Sequence, residues 1–310
     1  MRRIQYHRYG GPEEMRLEAV DVPQPGRGQV RVRVKAAAAN PADCAVRSAH
    51  LKVVSGSRFP RGMGHDFAGV VDAVGPEAMR HRVGDEVFGI SGIRAAGAFA
   101  DCLVISEKDL YRKPAGLSFE LAAALPMAGV TAWSAVVDRR NLQAGQSAFV
   151  TGCLGGVGRA AVQIALMRGA EVAGNCSASD REEALALGVS EVADYRTFDL
   201  ACYRRRFDLV FDTANSLSPG DCRTMLKPGG VAVLAALTPR TLIASLLSSR
   251  IKLASGNPNP RRMTGVTDAA EQGKLFPKIG RIVLLSEAIP ALTELETTGA
   301  PKGKLVIVPD

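Results

Sequence analysis

The chain has 310 residues, more than one hydrophobic core usually organises, so two domains are expected. With 46% hydrophobic and 23% charged residues it matches ordinary globular usage, which excludes a disordered or collagen-like chain. A formal net charge of +8 suits anionic ligands such as nucleotide phosphates without requiring a nucleic acid.

Met1-Arg2-Arg3 is followed by Gln5, His7 and Arg8 rather than by an apolar stretch, so no signal peptide is read. Pro23, Pro25, Gly26 and Gly28 lead into Val30-Arg31-Val32-Arg33-Val34-Lys35, whose period-two alternation predicts a half-buried antiparallel strand. Short apolar runs at 66–74, 85–89 and 98–105 extend this into a β-rich first domain. The uncharged run 121–137 is too weakly apolar and too short for a membrane span and reads as a buried helix. Beyond it, apolar strands at 148–150, 171–173, 191–193, 207–211 and 231–235 alternate with helical patterns, as βα units on a parallel sheet do. Lys227-Pro228-Gly229-Gly230 reads as a turn into the fifth of these strands, and a Pro-rich loop at 257–260 and the turn Pro301-Lys302-Gly303 precede a closing strand at 304–308. The six cysteines (Cys44, Cys102, Cys153, Cys176, Cys202, Cys222) form no C-x-x-C pair and no cluster, so reduced thiols and a cytoplasmic location are expected.

The strongest chemical signal is Thr151-Gly152-Cys153-Leu154-Gly155-Gly156-Val157-Gly158, which follows a predicted strand and opens a helix with a stripe at Val157, Ala160, Ala161, Ile164 and Ala165. In that context Gly152, Gly155, Gly156 and Val157 are candidate cofactor-binding residues. The helix start offers N–H groups and its positive dipole end to a pyrophosphate, and Gly158 allows close packing of helix on strand. Cys153 inside the turn is a possible oxidation target, or simply a small residue.

On these motifs the sequence resembles the medium-chain dehydrogenases and reductases, within them the zinc-independent quinone oxidoreductase and enoyl reductase branch. The resemblance rests on Asn40-Pro41-Ala42-Asp43, Gly64-His65-Asp66-Phe67-Ala68-Gly69, Gly84-Asp85-Glu86-Val87-Phe88-Gly89, Gly97-Ala98-Phe99-Ala100 and Thr131-Ala132-Trp133. Phe211-Asp212-Thr213, Leu226-Lys227-Pro228-Gly229-Gly230 and Gly303-Lys304-Leu305-Val306 continue it. It implies an α/β chain with a GroES-like β-rich catalytic domain over 1–122, to which 260–310 returns, and a Rossmann doubly wound parallel-sheet domain over 123–259.

The same resemblance bears on zinc. In the zinc-dependent relatives a Cys, a His and a second Cys hold the catalytic metal; here Asn40 stands at the first position, His65 at the second, and the stretch 125–131 contains no cysteine. No metal is expected, and His65 and Asp66 read as structural groups. Without a Lewis acid, conjugate reduction remains accessible, because hydride addition leaves an enolate-like charge that hydrogen-bond donors stabilise. Asn40 and Asp43 match the element that borders the nicotinamide and are candidate catalytic residues for orientation, with Arg47 fixing the loop. The plainer alternative is a turn at Asn40-Pro41 with Asp43 capping a short helix. Several relatives carry a tyrosine just after this element; here the stretch 47–52 has none, and His50 is the candidate proton donor, beside the alternative of a solvated loop histidine. Thr131 resembles the position facing the nicotinamide.

The second βα strand runs into Gly174-Asn175-Cys176-Ser177 with no acid to bind an adenosine 2′-hydroxyl, and Ser177, Arg181 and Tyr195 fall where NADPH-using relatives surround the 2′-phosphate. A local Asp180–Arg181 pair is the competing explanation. The expected activity is NADPH-dependent reduction of a quinone or conjugated carbonyl. The alternatives are an enoyl-thioester reductase of fatty-acid or polyketide assembly, and a non-catalytic NADPH-binding sensor or structural protein. Arg204-Arg205-Arg206 reads as a solvated face, which argues against a nucleic-acid partner, and a homodimer is expected.

Overall fold

A computed structural model describes residues 1–299 and 302–310, the side chain of Val54 excepted; the Pro301 start of the expected closing turn lies outside them. The chain divides into two compact units, residues 1–127 with 277–310, and residues 128–276. Among the described residues no helix is long and apolar enough to cross a membrane.

The first unit contains β1 (Arg2–Tyr6), β2 (Arg16–Ala19), β3 (Gln29–Ala38), β4 (Arg61–Gly62), β5 (Asp66–Val74), β6 (Glu86–Ile90), β7 (Cys102–Ser106) and β8 (Leu110–Arg112). The second contains β9 (Ser147–Val150), β10 (Glu171–Cys176), β11 (Glu191–Asp194), β12 (Phe207–Asp212), β13 (Leu226–Leu234) and β14 (Ile251–Leu253). β15 (Ile279–Leu284) and β16 (Lys304–Val308) belong to the first unit again.

β3 organises the first unit. Its Val30, Val32 and Val34 are buried while the alternate basic residues face outward, as the period-two pattern predicts. β5 runs antiparallel along one edge, and the other edge is shared by β7, beside Gln29 to Arg33, and β16, beside Ala37 and Ala38. Those valines pack with Phe67, Val71, Phe99 and Leu305. The β3–β16 pairing, extended by Ala39 N–H donating to Leu305 O at 2.9 Å, sets the end of the chain against the segment that follows β3.

The second unit is a six-stranded sheet in the order β11-β10-β9-β12-β13-β14, with every pairing parallel. Numbered along the chain this is 3-2-1-4-5-6, so the strand order reverses between β9 and β12, where doubly wound sheets bind their ligands. Phe149 on β9 is fully buried, with ring centroids 5.5, 5.2 and 5.3 Å from Phe198, Tyr203 and Phe207.

Three local expectations differ from what is observed. The run 121–137 is two helices, Phe119–Ala123 and Pro126–Trp133, followed by a π-helical turn, Ser134–Arg139, because Pro126 cannot donate to the preceding turn and instead starts a new helix. The Lys227 to Gly230 turn is absorbed into β13, whose register against β12 shifts between Phe207 and Leu209, with Gly229 at φ +76°. Pro260 opens a helix, Pro260–Glu271, rather than closing a loop, and there the Gly265 backbone lies against the Trp133 ring.

Because the aromatic cluster around Phe149 is the largest ring assembly of the second unit's core, Phe149→Ala is expected to cost about 3 to 5 kcal/mol. Urea denaturation followed by circular dichroism checks this: a midpoint equal to that of the unaltered chain would contradict the packing described.

Candidate functional site

The second unit forms an anion-binding turn beyond β9. Thr151 ties the crest of β9 to that of β12: its Oγ1 donates to Asp212 Oδ1 at 2.7 Å and accepts the N–H groups of Thr213 at 2.9 Å and Ala214 at 3.2 Å. Thr213 Oγ1 returns a bond to Thr151 O at 2.6 Å. Gly152 then takes φ +55°, with its N–H on Asn175 Oδ1 at 2.8 Å, and the Cys153 N–H reaches Asn175 O at 3.0 Å. Buried Asn175 thus holds both sides of the turn, a role that the sequence reading did not single out.

Gly155 is the residue before the twelve-residue helix Gly156–Met167 and makes no side-chain cap, so the first N–H groups of that helix have no intrahelical acceptor. A Cβ at Gly158 would lie 2.1 Å from Gly152 O, which is why helix and strand need glycine there. A Cβ at Gly155 would meet only Gly152 O, at 3.3 Å, and otherwise enters open space. Exposed Gly155 and Gly156, free N–H groups and the positive helix end make a cradle that fits a dinucleotide pyrophosphate. Cys153 is fully buried in this turn, and burial first, then neighbouring Cys176, push its thiol up to about 12, so it lacks the thiolate character that oxidation needs.

The ends of β10 and β11 lie side by side, Cys176 opposite Asp194, and the Tyr195 N–H donates to Cys176 O at 3.1 Å. Around this point Ser177 Oγ lies 3.0 Å from Ser179 Oγ, and exposed Tyr195 carries the Arg196 guanidinium 5.3 Å over its ring. Arg181 donates to Val192 O. Arg196 was missed in the sequence, although an arginine directly after an aromatic at a strand end is a readable signal. The Asp194 carboxylate accepts the Arg196 N–H at 3.0 Å, a local turn bond. Thr131 lies on the helix Pro126–Trp133, largely buried.

The first unit gathers a buried polar corner. Asn40 precedes the helix Pro41–Arg47, and its N–H donates to Asp43 Oδ2 at 2.7 Å, so the capping expected of Asp43 is present. Asp43 Oδ1 holds His65 Nδ1 at 2.5 Å. Asn40 Nδ2 donates to Ala38 O at 3.2 Å and to Asp66 Oδ2 at 3.0 Å, while Asn40 Oδ1 accepts from Lys304 Nζ at 2.5 Å. Asp66 also accepts the Met127 N–H at 3.1 and 3.2 Å, and Lys304 Nζ stands 3.9 Å from its Oδ2. Burial raises Asp66 to about 6 against the pull of Lys304 and Asn40. Burial also lowers Lys304, opposed by Asp66 and Asp43. For His65, burial acts downward, but the Asp43 and Asp66 carboxylates outweigh it and its pKa is raised.

His50 sits apart from this corner. It is exposed, with Nδ1 2.7 Å from Ser48 Oγ, which itself donates to Cys44 O at 2.8 Å. Arg47 is wholly buried and ties the helix Pro41–Arg47 to Gly10 O and Glu296.

The corner's donors do not fit a catalytic zinc. An amide replaces the first thiolate, and its oxygen is taken by an ammonium. Among the described residues no group of three or more His, Cys, Asp or Glu side chains is arranged to hold a metal ion.

Two family models match the chain: an alcohol dehydrogenase GroES-like domain over residues 26–115 and a zinc-binding dehydrogenase domain over 187–307. The 2-methylene-furan-3-one reductase of Solanum lycopersicum is 32% identical over 323 residues, covering 100% of this chain and 79% of the relative. The chloroplastic NADPH-dependent alkenal/one oxidoreductase of Arabidopsis thaliana is 31% identical, covering 98% of this chain and 78% of the relative. The solved quinone oxidoreductase of Coxiella burnetii superposes with a TM-score of 0.89 at 29% identity, over 100% of this chain and 99% of that one. A GroES-like unit built on β3, a 3-2-1-4-5-6 sheet with its glycine turn, and relatives that match nearly end to end agree on one assignment: the chain belongs to the medium-chain dehydrogenase/reductase superfamily, in its quinone oxidoreductase and enone reductase branch.

Proposed function

We propose that the chain transfers hydride from NADPH to an α,β-unsaturated carbonyl compound or a quinone. The observation that carries this reading is the anion-binding turn between β9 and the helix Gly156–Met167. The names of the tomato, Arabidopsis and Coxiella relatives support the substrate class, and the Arabidopsis name supports the phosphorylated cofactor.

When bound, NADPH supplies the hydride. Gly152, Gly155, Gly156 and Val157 would receive its pyrophosphate, and Ser177, Arg181, Tyr195 and Arg196, at the ends of β10 and β11, its 2′-phosphate, with Thr131 a further residue for the nicotinamide. Asn40 and Asp43 act by orientation: their polar atoms are engaged within the corner and hold the start of the helix Pro41–Arg47 in place. His50 is the proton donor to the enolate or hydroquinone oxygen, with its Nδ1 held beside Ser48 Oγ. We place the enzyme in the cytoplasm, and propose a second copy of this chain as its partner at β14, the edge strand of the six-stranded sheet.

Three outcomes follow. Gly155→Val puts side-chain bulk into the open side of the cradle, so titration with NADPH should show at least tenfold weaker binding by a chain whose circular dichroism is unchanged; unchanged affinity would refute the cofactor placement. NADPH should bind more tightly than NADH, and Arg181→Ala and Arg196→Ala should each shrink that preference roughly ten- to a hundredfold, the worth of a charge-assisted hydrogen bond. Calorimetry of both nucleotides decides it, and full preference in both variants sinks the 2′-phosphate assignment. Finally, NADPH oxidation should be rapid with quinones or enones. Turnover confined to enoyl thioesters supports the thioester reductase, and binding without any turnover supports a sensor or structural protein.

A further inference from the structure

The zinc-binding dehydrogenase model spans Lys304, yet the lysine's own charge is already lodged on the residue that stands at the first metal-ligand position. We propose that the Lys304 ammonium is the resident cation of this corner, filling the place of a metal and keeping divalent ions out. The inference is independent of which electrophile the enzyme reduces.

Several observations converge on it. Nζ is 2.5 Å from Asn40 Oδ1 and 3.9 Å from Asp66 Oδ2, and Lys304 and Asp66 are both buried. The pairing of β16 with the end of β3 fixes the lysine in this place. Donor and acceptor chemistry also orients the Asn40 amide: an ammonium has no acceptor and can only meet Oδ1, whereas an ionised carboxylate has no donor and can only meet Nδ2. The amide is therefore held in one sense by one cation and one anion. Two carboxylates, Asp43 and Asp66, lie here with His65, and a divalent ion arriving beside Lys304 would meet a fixed positive charge in a buried setting where charges are weakly screened. Removing that charge while restoring a thiolate turns the same walls into a three-donor set of sulfur, imidazole and carboxylate, which suits zinc or cobalt.

The test needs no activity measurement. The unaltered chain, Asn40→Cys, Asn40→Cys with Lys304→Arg, and Asn40→Cys with Lys304→Met are titrated with Co2+, followed by the thiolate-to-cobalt charge-transfer band and by equilibrium dialysis. The first three should bind no stoichiometric cobalt above the background of the native cysteines, because each keeps the cation. The Lys304→Met combination should bind one Co2+ per chain at least a hundredfold more tightly than Asn40→Cys alone. If loss of the lysine unfolds that variant, Co2+ should restore its fold and raise its melting temperature, since the metal then supplies the missing charge. The proposal is overturned if Asn40→Cys alone binds cobalt as well as the Lys304→Met combination does. It is also overturned if the combination is neither bound nor stabilised by cobalt, or if the unaltered chain retains about one zinc through dialysis.

Discussion

Asp66 carries its carboxylate at zero exposure, and a charge taken so completely out of water persists only where donors surround it. Its partners come from three distant parts of the chain: the Asn40 amide after β3 and the Met127 N–H at the start of the helix Pro126–Trp133 as donors, and the Lys304 ammonium at the start of β16 as a counter-charge 3.9 Å away. Satisfying this one group therefore requires the first unit to gather the segment after β3, the last residue before its boundary and the returning C-terminal strand. Asp43 and His65 extend the same network into the helix Pro41–Arg47. Isolated removal of any partner leaves a buried polar atom unmatched, so the corner holds together as a set.

Much of this architecture is legible in the sequence where the signal is local. Val30 to Lys35 alternates with period two and forms β3, and the glycines between Thr151 and Gly158 sit between a strand and a helix as read. Legibility fails where long-range pairing overrides local punctuation. Lys227-Pro228-Gly229-Gly230 has the composition of a turn, but pairing with β12 draws it into β13 and leaves a shifted register and the positive φ of Gly229 as its traces. Lys304 reads as part of a family motif, and nothing nearby in sequence announces that its partner is Asn40, 264 positions away. Asn175 is hidden for a similar reason: a buried asparagine at a strand end has no periodic signature, and its role emerges only when Gly152 and Cys153 are placed beside it.

The two units divide the chemical labour by the kind of group each presents. The second offers backbone: N–H groups at a helix start, made accessible because glycine carries no side chain in front of them. The first offers side chains that satisfy one another through hydrogen bonds and ion pairs, leaving His50 exposed on the segment that follows. Fixed dipoles of this kind recognise an anion, while the locked amide of the first unit keeps its own corner in one arrangement.

The bonds between Thr151, Asp212 and Thr213 join two strands that already pair through their backbones, and they do so at the point where the strand order reverses. Doubly wound sheets open their crevice there, so the spacing of its two lips is set by side chains buried below the rim rather than by the ligand. Entry of a nucleotide then demands little ordering of the protein at this spot, and most of the contact energy of the phosphates is retained as affinity.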